Sequence, residues 1–307
     1  MGRKGIAAVL TALALLLAAC AGTRAPEKTG YEYVVGVSQS NLIEPMQIAV
    51  HDQMQTHARE YPDLRLVFAD AVGDSGRQAD DIRQLVGLDA DLLIVTPVNA
   101  VDLGEALAEA RKKVPVIVLG SKIDGSDYDM FIGPDDYEVG YQSGQRVAEL
   151  LGADGGTVLE ISGQQGSLRA QQISAGFAGA LAQRPEVRLL GTLDGEWLRD
   201  TAERRMKDSL LQSAPADVVF AHSDAMAYGA WRAAQDFRVD NIRFFGVGGQ
   251  EDEGKVWVDN GILTSTFYCN TGSAEAIDWA LKILRGVKDA PRELVFEPVY
   301  YAGAGKK

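Results

Sequence analysis

The chain has 307 residues, 46% of them hydrophobic and 24% charged, and its 43 acidic against 30 basic residues leave a formal charge of −13. This is the composition of a soluble globular protein, long enough for one large domain or two lobes. The acidic balance, with no block of Lys or Arg, argues against nucleic acid as a partner.

Arg3 and Lys4 precede a mostly apolar run from Ile6 to Ala19. The run is too short to span a bilayer comfortably but suits a secretory signal. It ends at Leu17-Ala18-Ala19-Cys20, which looks like a bacterial lipobox with Cys20 as the lipidated residue. Residues 1–19 are thus expected to be a lipoprotein signal peptide, and 20–30 a small, polar tether. The one other cysteine is Cys269, so no disulfide is expected.

From Tyr33 onward, apolar strand-like runs alternate with helical periodicity. Strands are expected at "YVVGV", "LRLVFA", "DLLIV", "VPVIVL" and "MFIG", then at "TVLEIS", "VRLLGTL", "ADVVFA", "IRFFGV" and "ILTSTF". Helical spacing follows Pro45 (Met46, Ala49, Val50, Met54) and Asp224 (Ala227, Ala230, Trp231, Ala234). It also follows Asn99, read as an N-cap, through Leu103, Ala106, Leu107 and Ala110. Alternation of this kind implies βαβ units and parallel sheets, an α/β fold. Two successive strand groups favour two lobes over a single barrel. The fourth strand stops at Gly120, Ser121 and Lys122, a bare strand end where an α/β sheet would place ligand.

The residues offer little chemistry. His51, His57 and His222 lack metal spacing, and there is no HExxH or CxxC. His222, Ser223 and Asp224 are adjacent in sequence, whereas a catalytic triad converges in space. "FFGVGGQEDEG" lacks the third glycine of a dinucleotide fingerprint, and "DGSDYD" lacks EF-hand spacing. No catalytic residue, metal or cofactor is expected, and the chain is read as a non-enzyme.

Several segments, in order and spacing, resemble the type I periplasmic binding proteins, in particular their ribose-binding-like sugar branch. "VGVSQSNLIEP" is similar to the first strand and ligand loop, "DLLIVTPVNA" to the third strand and "VPVIVLGSK" to the fourth. "IGPDDYEVG" looks like the first crossing between lobes, and "FAHSDAMAYGA" and "FFGVGG" look like later strand ends. The likeness spans nearly all of residues 33–290. It implies two Rossmann-like lobes joined by a three-strand hinge: an N-lobe of 31–133 and 270–292, and a C-lobe of 134–269 and 293–307.

The resemblance also marks departures. Gly120 and Ser121 stand where sugar-binding relatives carry Asp-Arg, and Gln171 where an Arg is expected. Ser223 replaces Asn, Gly248 replaces Asp, Cys269 replaces Gln, and Met46 and Gln47 replace paired aromatics. Trp197 keeps the position of a stacking aromatic. Ligand contacts are expected from Trp197, Ser121, Gln171, Ser223, Asp224, Gln39, Glu44, Met46, Lys122, Gly248 and Gln250, with Arg169 a further nearby candidate. Gly120 and Gly248 are read as making room for a bulkier ligand. The implied protein is an exported monomer, lipid-anchored in the periplasm or at the cell surface. It would capture a small polar, sugar-like molecule for an inner-membrane ABC permease, or alternatively report that ligand to a membrane histidine kinase, chemoreceptor or cyclase.

Overall fold

The structure, a computed structural model, describes residues 30–99, 102–123, 125 and 127–303. The signal peptide, Cys20 and all but the last residue of the tether lie outside the described residues, as do two residues of the "DGSDYD" loop.

All ten expected strands form: β1 (Tyr33–Gln39), β2 (Leu64–Asp70), β3 (Leu92–Val95), β4 (Val116–Leu119), β5 (Met130–Pro134), β6 (Gly156–Ser162), β7 (Val187–Asp194), β8 (Val218–Ala221), β9 (Arg243–Gly248) and β10 (Ser265–Tyr268). Two further short strands, β11 (Glu293–Phe296) and β12 (Val299–Ala302), were not anticipated. The helices are α1 (Pro45–Ala58), α2 (Ser75–Gly87), α3 (Gly104–Arg111), α4 (Asp136–Leu151), α5 (Leu168–Leu181), α6 (Arg199–Gln212), α7 (Asp224–Asp236), α8 (Gly254–Asp259) and α9 (Ser273–Leu284).

The strands make two six-stranded sheets, in the orders β11-β5-β4-β3-β1-β2 and β12-β10-β9-β8-β6-β7. Every pairing is parallel except β10 with β12. A parallel sheet is covered on both faces, and strand alternation shows how. Leu93, Val95, Val116 and Val118 share a core with Ile82, Leu85 and Leu107 of α2 and α3. Their sequence neighbours Leu92, Ile94, Ile117 and Leu119 share another with Val50 and Met54 of α1 and with Ile277 and Leu281 of α9. Each such buried side chain contributes about 1.5–3 kcal/mol.

The chain passes between the sheets three times: at Pro134–Asp135, between β10 and α9, and between β11 and β12. The last crossing lies later than expected, because Glu293–Phe296 pairs with β5 in the first sheet; residues 293–296 are therefore part of the N-lobe sheet. The Asn99 cap also differs. α3 starts at Gly104 after Leu103, and the Asn99 amide instead donates to Asp102 at 3.2 Å.

In the second lobe α4 and α5 run side by side in the same direction. Gly140 sits where a Cβ would come 2.0 Å from the Ile173 carbonyl oxygen, and at Gly176 a Cβ would come 2.0 Å from that of Tyr137. Only glycine permits this approach, and it brings the two helix starts, Asp136 and Arg169, together.

Candidate ligand-binding site

The carboxyl ends of both sheets face one cleft. One chamber in it holds about 330 Å3 and is lined by Glu44, Met46 and Asp52 from the first lobe. From the second lobe come Arg169, Trp197, His222, Ser223, Asp224, Gly248, Gln250, Asp252 and Glu253. Two small chambers of about 40 and 50 Å3 adjoin it, both lined by Gln47, Pro97, Ser121 and Arg169.

Trp197 forms an aromatic wall. It follows β7 in a turn where Glu196 and Trp197 take φ of 54° and 60°. Left-handed backbone at bulky residues costs on the order of 1–3 kcal/mol and tends to mark functional sites. Asp194 secures the turn, accepting from the backbone N–H of Glu196 at 3.0 Å. The ring lies against Gly163, where a Cβ would come 2.0 Å from Trp197 Cε2.

Behind it is a buried polar network. His222 Nδ1 accepts from the Gly163 N–H at 3.2 Å, which leaves Nε2–H to donate to Glu160 at 2.9 Å. Glu160 also accepts from Ser174 at 2.8 Å and Thr192 at 2.6 Å. Burial lowers the His222 pKa, against the pull of Glu160. Burial alone would raise Glu160, but its hydrogen bonds outweigh that and leave it lowered. The imidazole is therefore neutral and the carboxylate charged.

Asp224 forms the chamber floor. Ser223 caps α7, accepting from the Met226 N–H, so Asp224 is free of the capping role. Its carboxylate accepts from Thr266 at 2.6 Å and from the Gly249 N–H at 2.5 Å. Burial raises its pKa to about 6. Gly248, at φ 133°, does not make room for ligand: a Cβ there would come 3.0 Å from Asp224 Oδ2 and 3.2 Å from Met46 Cε. Its space belongs to Asp224. Gly120 differs, since a Cβ there would meet nothing within 4 Å. Gln250 ties the lobes together, donating to the Gly248 carbonyl at 3.1 Å and accepting from Gln53 of α1 at 3.3 Å.

The structure brings Trp197, Ser223, Asp224, Glu44, Met46, Gly248 and Gln250 to the main chamber, and Ser121 to the two smaller ones. Three expected residues lie elsewhere. Gln39 is buried beneath the cleft, donating to the Gln47 carbonyl at 3.1 Å and bonded to His51 at 2.6 Å. Lys122 turns outward to Glu293 at 2.8 Å. Gln171 is exposed on α5. Arg169, two residues earlier, takes the place expected of it. Ser167 caps α5, so Arg169 falls in the first turn at the strand end, while Gln171 has already rotated away.

Arg169 lines all three chambers, and its guanidinium lies 5.3 Å from the Trp197 ring centroid. Glu44 accepts from Asn41 at 2.8 Å. Burial raises its pKa, against that hydrogen bond and Arg169. Cys269 is buried in the wall of the second chamber, and burial pushes its thiol up to about 12, far from a nucleophilic thiolate. Among the described residues no group of His, Cys, Asp and Glu is placed to hold a metal. The cleft can accept and donate hydrogen bonds around one flat apolar face.

Comparison with known proteins agrees with this geometry. The chain is 30% identical over 201 residues to the xylitol-binding protein of Mycolicibacterium smegmatis, covering 65% of this chain and 57% of that protein. It is 26% identical over 258 residues to the ribose import binding protein of Bacillus subtilis, covering 81% and 83% of the two chains. The fructose-binding periplasmic domain of a hybrid two-component system superposes with a TM-score of 0.83 at 28% identity, covering 89% of this chain and 92% of that one. The periplasmic binding protein domain matches residues 35–288, and the chain belongs to that family.

Proposed function

We propose that this protein is an extracytoplasmic solute-binding protein that captures a sugar or sugar-like polyol between its lobes and delivers it to an ABC permease. The observation that carries this reading is the main chamber, where strand ends of both lobes meet around the Trp197 face and carboxylates able to accept from hydroxyls. The names of the similar xylitol-, ribose- and fructose-binding proteins point to the same ligand class. Closure of the lobes buries the ligand, and the closed form is what a partner recognises.

A thermal-shift screen against pentoses, hexoses, polyols and cyclitols tests it. A ligand at 100 times its dissociation constant adds about 2.7 kcal/mol of stability. A shift with one of these compounds is expected, and silence across the panel would reject the ligand class.

The likeness to a two-component sensor domain favours a second reading, in which a membrane kinase reads the closed form. Co-purification with permease subunits or with a kinase separates the two. We further infer lipid attachment at Cys20. Cys20→Ala should move the protein from the membrane to the soluble fraction.

A further inference from the structure

Arg169 and Asp136 form an ion pair without a hydrogen bond. Arg169 Nε lies 3.3 Å from Asp136 Oδ1, yet neither atom has a hydrogen-bonding partner among the described residues. The Asp136 side chain is only 8% exposed. It opens α4 directly after the first crossing between the lobes. A guanidinium held by charge alone, without the directional fork of a bidentate bond, can move when that charge is lost. Glu44 of the other lobe is the alternative anion, since Arg169 already acts on it across the cleft.

We propose that Asp136 is a positioning residue for the ligand cleft, its carboxylate holding Arg169 over Trp197, and that a proton on Asp136 releases the guanidinium toward Glu44. The proposal rests on the binding function above and adds its regulation.

Burial pushes Asp136 up to about 7, with Arg169 opposing and Asp135 adding to the rise. Its carboxyl therefore changes charge near neutrality. Of the other titratable groups around the pair, Asp224 in the floor of the same chamber is raised by burial to about 6, and Glu44 is raised by burial as well. His222 is lowered, chiefly by burial, and the Cys269 thiol is pushed up to about 12. The charge beside the Trp197 ring then follows the Asp136 proton near pH 7, and that of the chamber floor follows the Asp224 proton about one pH unit lower. Movement of Arg169 toward Glu44 would carry it from the wall of one lobe toward the other.

The test needs no ligand, so it stands or falls apart from the binding reading. Trp231, Trp257 and Trp279 are replaced by Phe, and Trp197 emission is followed between about pH 5 and 9. A transition centred near pH 7 is expected. It should vanish in Asp136→Asn and in Arg169→Met, and return in Asp136→Glu, with far-UV circular dichroism checking the fold of each variant. Should Asp136→Asn fail to fold, Arg169→Met carries the test. Emission flat with pH in the parent overturns the proposal, and so does a transition centred near pH 7 that survives in the folded variants, a step near pH 6 belonging to Asp224.

Discussion

Trp197 serves both the cleft and the core. It belongs to the hydrophobic core of the second lobe and is also the aromatic wall of the main chamber. Trp197→Ala should abolish sugar binding but also destabilise the protein by about 3–5 kcal/mol. Trp197→Phe, which keeps an aromatic face, should stay folded and lose less affinity. Calorimetry and urea unfolding on the pair separate the roles, and unchanged affinity in the Ala variant would remove Trp197 from the site. Asp224 makes a prediction about pH. Its folded pKa of about 6 lies above the ordinary 3.8, so its contribution to stability is complete below the ordinary value and is lost as pH rises through the folded one. Relative to Asp224→Asn, the wild type should lose stability from about pH 4 to pH 6 in urea titrations, and a constant difference would contradict the assignment. Glu160 is fully engaged by Ser174, Thr192 and His222. Removing it in Glu160→Ala strands the buried His222 N–H and frees the less buried Ser174 and Thr192 hydroxyls, and should cost about 1–3 kcal/mol in the same assay.

Helices α4 and α5 carry the cleft's only pocket-lining arginine among the described residues and its buried partner. Their separation is set by Gly140 and Gly176, so Gly140→Val should force them apart. A loss of about 1–3 kcal/mol is expected, read as a lower melting temperature. An unchanged melting temperature would mean that the pair tolerates separation. The first ten strands and the helices α1, α3 and α7 were legible in the sequence because most of those strands are continuous apolar runs and those helices carry apolar residues at helical spacing. β11 and β12 were not. Their residues are partly or fully exposed, so "ELVF" and "VYYA" carry no burial signal, and only pairing with β5 and β10 makes them strands. The site was legible wherever a residue follows a strand end directly, as Ser223, Asp224 and Gly248 do. It failed at Gln171, where one turn of helix decides which side chain faces the cleft. It failed at Lys122 too, whose side chain turns out of the cleft to pair with Glu293 of β11. The Glu160–His222 network escaped notice because it exists only when β6 and β8 pair.

At the scale of the whole molecule, two lobes joined by three crossings can change their separation while each keeps its own core. Small-angle scattering should show a smaller radius of gyration when a stabilising sugar is added, and an unchanged value would argue against closure. The three crossings also set a schedule for synthesis. The first sheet needs β11, and its outer layer needs α9, both drawn from the last tenth or so of the described chain. The second sheet likewise takes β12 from the end. Neither sheet can be completed before residues 293–302 have been made, so a nascent molecule carries incompletely covered apolar strands until they emerge. Such a chain stays threadable until those late strands are made, a property suited to a polypeptide that crosses a membrane before it folds.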